Sequence, residues 1–399
     1  MSTPAQTPNS LPTAAFAADT AHARELEALL ARLGETQVHV QAGGCAAAQR
    51  WCAQQRAEVL LIDLDGESAP LQALAELGAH CDPGCRIVAL GSGSDVDLYR
   101  ALLHSGVLDY LLKPVRLDLL ASTLERARDP GQESFARTGR TIAVTASAGG
   151  LGTSSVVAAL GQLLSGTRHM PVAVVDFDRQ KNDQNLLLGV QGDAGLGAAL
   201  ASRQIDARLL ERAMLRVNPR LHLLAQEQAD GQAAALDTGH LLELGAALCR
   251  LHNQVLWDLP AGLPHGALEI LQHSETRILL TDLSVQGARN TQRLLARIGD
   301  ESDGQQLLIV QSHAHGAHAG IAREQFEEFI GRRIDLALPY AGPALAESLL
   351  GGALALDRSP PLHQALLDLA DLACGRRPER RATAGLLGRL KQAIGRRAA

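Results

Sequence analysis

Short apolar segments alternate with helical ones along most of this chain, and this alternation limits the possible folds more than any other feature of the sequence. Val59–Ile62 and Val172–Val175 are typical of the apolar segments, since each consists of aliphatic residues and is followed by an aspartate. Parallel strands need a long crossover connection, which a helix usually provides, so the alternation predicts parallel sheets covered by helices. We therefore expect an α/β protein with two doubly wound parallel-sheet domains.

At 399 residues, the chain exceeds the usual size of one domain. Changes in composition indicate where the domains divide. Residues 1–12 are small, polar and contain proline, and we expect them to be disordered. The alternation runs through 13–128 and again through 140–375, and the polar segment 129–139, which contains proline and glycine, is predicted to link the two. Residues 376–399 form a basic tail in which we expect a helix.

The distribution of charge excludes some classes of protein. The formal net charge is −6, but the tail from Arg376 onward has eight basic residues and one acid, so the rest of the chain carries −13. Such an acidic body, with only 3% aromatic residues for base stacking, leads us to expect no nucleic-acid binding. The sequence lacks a membrane-spanning run, has no basic residue before Arg24 for a signal peptide, and has few cysteines, so we expect a cytoplasmic protein with reduced thiols.

A glycine-rich segment, Ser147–Ser155, lies between the predicted strand Thr141–Val144 and the predicted helix Val156–Leu164. Glycines allow backbone N–H groups to approach phosphates without steric hindrance from Cβ, and the helix that follows contributes the positive end of its dipole. This order of elements predicts a phosphate-binding loop. The candidate binding residues are Gly149, Gly150, Leu151, Gly152, Thr153, Ser154 and Ser155.

The loop resembles the deviant P-loop of the MinD/ParA family of ATPases, K-G-G-x-G-K-[ST]-[ST]. This resemblance implies ATP and Mg²⁺ as cofactors, with Ser154 among the metal ligands. Ala148 and Thr153, however, stand where the family has its two lysines. A P-loop lysine neutralises phosphate charge as it develops in the transition state, so we expect ATP binding with little or no hydrolysis. The alternative is that a lysine from elsewhere in the folded chain, or from a partner, reaches the loop and allows hydrolysis.

Two further segments resemble the switch regions of the same family. Asp176 and Asp178 follow one buried strand, and Asp258 begins an Asp-Leu-Pro-Ala-Gly sequence after another. The resemblance implies that Asp176 lies near Mg²⁺, that Asp178 orients the attacking water as the catalytic residue, and that Asp258 holds Mg²⁺ through water. The alternative is that each aspartate merely caps the next helix. Gln311 stands where the family often has an adenine-reading asparagine, so base selectivity is left open.

The first domain resembles a response-regulator receiver domain. Asp63 ends its third predicted strand, at the position of the phosphoacceptor, and Lys113 with Pro114 matches the Lys-Pro pair of receivers. The acidic pair that would hold Mg²⁺ is reduced to Asp19, and Gly91 replaces the usual hydroxyl residue. We therefore expect Asp63 and Lys113 to be a vestigial phosphoacceptor site, and the domain to be a docking surface.

The basic tail has one apolar stripe if it is helical, with cations beside it. The stripe and its cations are Leu386, Leu387, Leu390, Ile394, Arg389 and Lys391. A helix of this kind suits an anionic membrane surface, and amphipathic targeting helices also end MinD-like proteins. A partner-docking helix and a solvated basic tail are the alternatives.

A receiver-like domain followed by a lysine-poor MinD/ParA-like domain resembles the CpaE/TadZ proteins of Flp (Tad) type pilus assembly. This resemblance implies a cytoplasmic localisation and assembly factor, placed at the cytoplasmic face of the inner membrane or at the cell pole. It also implies a homodimer with nucleotide between protomers that recruits the pilus secretion machinery and its motor ATPase. The alternative function is an active MinD-like ATPase that cycles on and off the membrane in cell-division site placement.

Overall fold

The structure, a computed structural model, contains two parallel sheets, each covered on both faces by helices. The α/β fold class with two parallel-sheet domains is therefore confirmed. The described residues are 10–129, 139–178, 183–192, 195–225, 237–299, 301, 304–314 and 320–376.

The first sheet has five parallel strands in the order β2-β1-β3-β4-β5. Its strands are β1 (Ser10–Ala17), β2 (Val38–Ala42), β3 (Arg56–Asp63), β4 (Arg86–Gly91) and β5 (Asp109–Leu112). Its helices are α1 (Thr20–Arg32), α2 (Gly44–Cys52), α3 (Pro70–His80), α4 (Val96–His104) and α5 (Leu117–Arg128). Because β1 begins at Ser10, the expectation that all of 1–12 is disordered is wrong for its last three residues.

Strand β3 occupies the centre of this sheet because its side chains are apolar on both faces. Leu60 and Ile62 pack into one helix layer and Leu61 into the other, and all three are fully buried. Alternation of side chains along a strand produces this two-sided burial. The central position places Asp63, the last residue of β3, at the carboxyl edge of the sheet between β1 and β4.

The second sheet has eight strands in the order β13-β12-β11-β6-β10-β7-β9-β8. Its strands are β6 (Arg140–Ala146), β7 (Val172–Asp176), β8 (Leu215–Asn218), β9 (Leu221–Leu224), β10 (Gln254–Asp258), β11 (Thr276–Thr281), β12 (Gln306–Ser312) and β13 (Leu336–Leu338). Its helices are α6 (Thr153–Gln162), α7 (Asp183–Leu188), α8 (Leu196–Ala201), α9 (Ala207–Ala213), α10 (Thr238–Leu251), α11 (Ala267–His273), α12 (Val285–Ile298), α13 (Arg323–Ile330), α14 (Gly342–Leu350) and α15 (Pro360–Ala373). The edge strand β8 pairs antiparallel with β9, whereas the other strands of this sheet pair in parallel.

The order of the central strands brings the predicted site residues to one edge of the second sheet. Strand β10 lies between β6 and β7, and Asp258 is in register with Asp176 on one side and Val144 on the other. The loop after β6 and both aspartates therefore meet at the carboxyl ends of three adjacent strands. Ligands of open α/β sheets bind at this edge.

The two domains meet where helices α2 and α3 end. The buried Arg220 of the second domain donates hydrogen bonds to the carbonyl oxygens of Cys52 and His80, the second at 2.9 Å. The Asn253 side-chain amide lies 2.8 Å from the carbonyl oxygens of Ala79 and Cys81. The last carbonyl groups of a helix have no partner within the helix and carry its negative dipole end. The second domain therefore caps two helices of the first.

We predict that Arg220→Met weakens this junction, because the carbonyl groups of Cys52 and His80 would lose a buried, charged donor. Leaving such groups without a partner costs about 1–3 kcal/mol each. The first domain should then unfold at a lower temperature than the second, which differential scanning calorimetry would resolve as two transitions. Arg216→Met, on the exposed side of the same edge, is the matched control. Identical single transitions in both variants would show that Arg220 does not hold the domains together.

Candidate nucleotide-binding site

The loop after β6 has the open shape that a phosphate cradle needs. Gly150 and Gly152 have φ angles of +81° and +87°, in the left-handed region that favours glycine, and Gly152 is the N-terminal cap of α6. A Cβ atom added at Gly149 or Gly152 would meet no atom of the described residues within 4 Å. The space in front of these glycines is therefore clear, and no side chain of the described residues fills the cradle at these two positions.

Side chains from neighbouring elements hold the loop in this shape. The Asn290 amide of α12 donates to the carbonyl oxygen of Ser147 at 2.8 Å, and the Ser312 hydroxyl donates to that of Leu151 at 2.8 Å. The Ser147 N–H donates to the carbonyl oxygen of Leu280 in β11, also at 2.8 Å. These bonds fix both ends of the loop. The sequence did not reveal the part played by Asn290 and Ser312, because they lie far from the loop in the chain.

The first turn of α6 supplies the positive potential that remains at the loop. Thr153, Ser154 and Ser155 open this ten-residue helix, and the amide N–H groups of a first turn have no acceptor within the helix. Of the three lysines in the sequence, Lys113 belongs to the first domain, and Lys181 and Lys391 lie outside the described residues. The described part of the chain therefore offers phosphate its backbone N–H groups and the helix dipole, without a lysine.

The two strand-end aspartates are buried side by side. Asp176 accepts hydrogen bonds from the backbone N–H groups of Asp178 and Gln184, each at 3.1 Å. Burial raises the pKa of Asp176 to about 8, and the neighbouring Asp258 contributes to the rise. Burial also raises the pKa of Asp258, against the opposing effect of hydrogen bonds from Gln184 and Ser154. The pair therefore retains protons at a higher pH than ordinary aspartates do.

Asp178 is half-buried beside this pair, and its negative charge raises the pKa of both other aspartates. The structure thus brings together all three acids that the sequence singles out. The bond from the Gln184 N–H to Asp176 also makes Asp176 a cap of the short helix α7, as the structural alternative predicts. The role of Asp178 as a catalytic residue stays a prediction.

Gln184 is a residue of this site that sequence reasoning missed. It is fully buried, and its side-chain N–H₂ group donates to the Asp258 carboxylate at 2.8 Å and to the carbonyl oxygen of Ser154 at 3.0 Å. A glutamine on a short helix has no motif that marks it, and only the fold brings it to the loop. Its amide joins α7, the phosphate loop and β10.

The expected Mg²⁺ ligands do not form an open coordination site in this arrangement. Mg²⁺ requires oxygen lone pairs, but Asp176 holds two backbone N–H groups, and the Oδ2 atom of Asp258 holds the Gln184 amide. Within the described ranges, no group of three histidine, cysteine or acidic side chains has an arrangement that could hold a metal ion. The arrangement therefore does not fit a bound Mg²⁺, and we derive no step through one.

An apolar cavity of about 150 Å³ lies beside the loop, lined by Leu151, Gly152, Val156, Ala314 and Pro339 among others. Its position next to the phosphate cradle and its apolar walls suit the face of a ring system. Gln311 does not line this cavity. Its side-chain amide lies 3.0 Å from the His313 ring. Nothing in this geometry supports Gln311 as the residue that reads the base.

The predicted vestigial site of the first domain is a closed cluster of charges. The Lys113 Nζ atom lies 2.7 Å from the Asp63 carboxylate and 2.6 Å from that of Asp65, and the Ser92 hydroxyl donates to Asp65 at 2.6 Å. Asp63 is only 1% exposed. Asp19, the remnant of the acidic pair, instead caps helix α1. Lys113 therefore gives both carboxylates a partner within this chain. Asp65 is the member of this cluster that the sequence pattern did not single out.

Comparison with known proteins finds similarity to MinD and ParA proteins over about three fifths of the chain. No family model matches the sequence. The septum site-determining protein MinD of Escherichia coli is 26% identical over an alignment of 263 residues that covers 59% of this chain and 91% of that protein. The crystal structure of a ParA family ATPase from Chlorobium tepidum covers 58% of this chain and 98% of its own, with 23% identity and a TM-score of 0.53.

MinD from Pyrococcus horikoshii, complexed with Mg-ADP, covers 61% of this chain and 98% of its own, with 21% identity and a TM-score of 0.50. The matched part of this chain has the MinD/ParA fold. A pilus assembly protein CpaE from Caulobacter crescentus is 29% identical, but it matches only 30% of this chain, with a TM-score of 0.27. A match of that extent is too small to assign this chain to the same class of protein.

We predict that the buried pair makes the protein less stable as the pH rises. The pKa of Asp176 is higher in the folded chain, about 8, than its ordinary value of 3.8, so the folded state binds more protons between these values. The free energy of unfolding should therefore fall as the pH rises through this window. Asp176→Asn, which cannot ionise, should flatten the slope measured by urea unfolding between about pH 5 and pH 8.

The slope is the informative quantity here, because asparagine accepts one hydrogen bond fewer than aspartate and also changes the absolute stability. Asp357→Asn, at an exposed position, is the control. An unchanged slope in Asp176→Asn would mean that Asp176 is already ionised at neutral pH.

Proposed function

We propose that this protein is a localisation and assembly factor for Flp/Tad type pilus biogenesis that binds ATP with little or no hydrolysis. The observation that carries the proposal is the glycine cradle, which keeps its open shape and its helix N-terminus while both lysine positions hold Ala148 and Thr153. A pocket that binds the triphosphate but lacks these cations favours a structural use of the nucleotide. Its combination with a receiver-like sheet supports the CpaE/TadZ type of protein.

In this proposal the triphosphate binds the N–H groups of the loop and of the first turn of α6, and its base lies against the apolar cavity beside Leu151 and Pro339. The bound nucleotide supplies a compact polyanion that accepts hydrogen bonds from these N–H groups. Ser147 and Leu151 keep the cradle in place through their bonds to Asn290 and Ser312. A second protomer closes over the nucleotide, so binding rather than cleavage produces the homodimer.

Placement in the cell is also part of the proposal. The protein acts in the cytoplasm, at the cytoplasmic face of the inner membrane or at a pole, where it recruits the pilus secretion machinery and its motor ATPase. The basic tail, 376–399, which we propose as the contact to an anionic membrane or a partner, lies almost entirely outside the described residues. In the described part of the chain, no helix combines the length and the apolar character needed to cross a bilayer.

A second candidate function is an active MinD-like ATPase that cycles on the membrane in cell-division site placement. The 26% identity to the Escherichia coli septum site-determining protein favours it. The loop chemistry disfavours it, because a lysine would have to come from a partner or from outside the described residues.

We predict that purified wild-type protein binds ATP but turns it over slowly, and that the double variant Ala148→Lys with Thr153→Lys hydrolyses it faster. Restoring charge at the transferred phosphate should raise kcat, since a single such contact accounts for roughly 10²–10³-fold in rate. A coupled assay for released phosphate, together with equilibrium binding of a fluorescent ATP analogue, measures both quantities.

Methionine at both positions, with similar length and no charge, is the matched control for the lysine variant. Rapid wild-type turnover would favour the MinD-like alternative and contradict the proposed structural role. Failure of wild-type protein to bind ATP at all would contradict both functions.

A further inference from the structure

The environment of Gln184 determines which way its side chain points. Both atoms that face the amide are acceptors, the Asp258 carboxylate at 2.8 Å and the Ser154 carbonyl at 3.0 Å. Only the N–H₂ end of a glutamine can donate to two acceptors, so the reverse orientation would place three oxygens together. The amide therefore presents the positive end of its dipole to the carboxylate that would hold a cation.

The remaining contacts complete this arrangement. The backbone N–H of Gln184 binds one oxygen of Asp176, and the N–H of Asp178 binds the other. Both aspartates expected to hold Mg²⁺ are thus engaged with groups of this chain. Gln184 contributes both through its backbone and through its side chain.

We propose that the Gln184 carboxamide takes the place of the divalent cation in this pocket, so that the protein binds a nucleoside triphosphate without Mg²⁺. The proposal rests on the proposed function, since it concerns the same pocket. Gln184 is a positioning residue: it holds Asp258, the loop at Ser154 and helix α7 in one arrangement before any ligand arrives.

The burial of Gln184 strengthens this interpretation. The residue is fully buried, so a cation could bind the Oδ2 atom of Asp258 only if the amide moved away from it. The Oε1 atom of Gln184 has no hydrogen-bond partner among the described residues, whereas its N–H₂ group has two. The side chain is thus held in the site by its donor end, the end that cannot bind a metal.

The experiment compares wild-type protein with Gln184→Met, which has similar length without an amide, and with Gln184→Glu, which has the same shape with a charge. The first measurement is the thermal midpoint of ligand-free protein with and without millimolar MgCl₂. The second is the dissociation constant of a fluorescent ATP analogue in MgCl₂ and in EDTA. Asn185→Leu is the matched control, because this neighbouring amide bonds towards Gly192 and does not contact the carboxylates.

We expect Mg²⁺ to leave the midpoint of wild-type protein and of Asn185→Leu unchanged, and to raise that of Gln184→Glu, whose third carboxylate needs a counterion. EDTA should change the dissociation constant of the ATP analogue for wild-type protein less than about twofold. It should weaken binding of the analogue to Gln184→Met by roughly tenfold or more, a loss in the range seen when groups around a metal site are altered.

Two results would overturn the proposal. One is a wild-type midpoint that rises with Mg²⁺ as much as that of Gln184→Glu. The other is wild-type nucleotide binding that is lost in EDTA, which would mean that the amide swings away or ligates the metal through its oxygen. If no variant binds nucleotide, the proposed function fails, but the Mg²⁺ measurement on ligand-free protein still decides the role of Gln184.

Discussion

Two adjacent buried carboxylates, Asp176 and Asp258, set the main constraint on the second domain. They end neighbouring strands in register, so the sheet itself brings them together. Buried like charges are costly unless they are neutralised or hydrogen-bonded, and here backbone N–H groups and the Gln184 amide meet that requirement. The phosphate loop, helix α7 and the central strands are positioned around this cluster.

The same physical solution occurs in both domains. In the first, the Lys113 ammonium bridges Asp63 and Asp65 at the carboxyl edge of the sheet. In the second, the Gln184 amide and two backbone N–H groups bond the acids at the equivalent edge. Each edge carries the acidic residues of an α/β ligand site, and each satisfies them with the donors of this chain. In both domains the acids are therefore held in a preset arrangement, and Arg220 and Asn253 join the domains by capping helices across the junction.

Much of this arrangement follows from local sequence patterns. The apolar run Val59–Ile62 and the glycine loop at Ser147–Ser155 are predicted because their residues act together within a few positions of one another. The start of the strand at Ser10 was missed because a proline, a poor strand former, stands among its first residues. Strand β8 was missed because it is a short, half-exposed edge. Gln184, Asn290 and the caps from Arg220 and Asn253 act through contacts between residues distant in sequence, and no local pattern reveals such contacts.

The central claim is that the pocket holds a triphosphate and does not cleave it. The most direct test is to identify the nucleotide that accompanies the protein when it is purified rapidly from its own cells, by acid extraction followed by ion-exchange chromatography. The account predicts intact ATP in near-stoichiometric amount. ADP as the main nucleotide, or protein free of nucleotide, would contradict it.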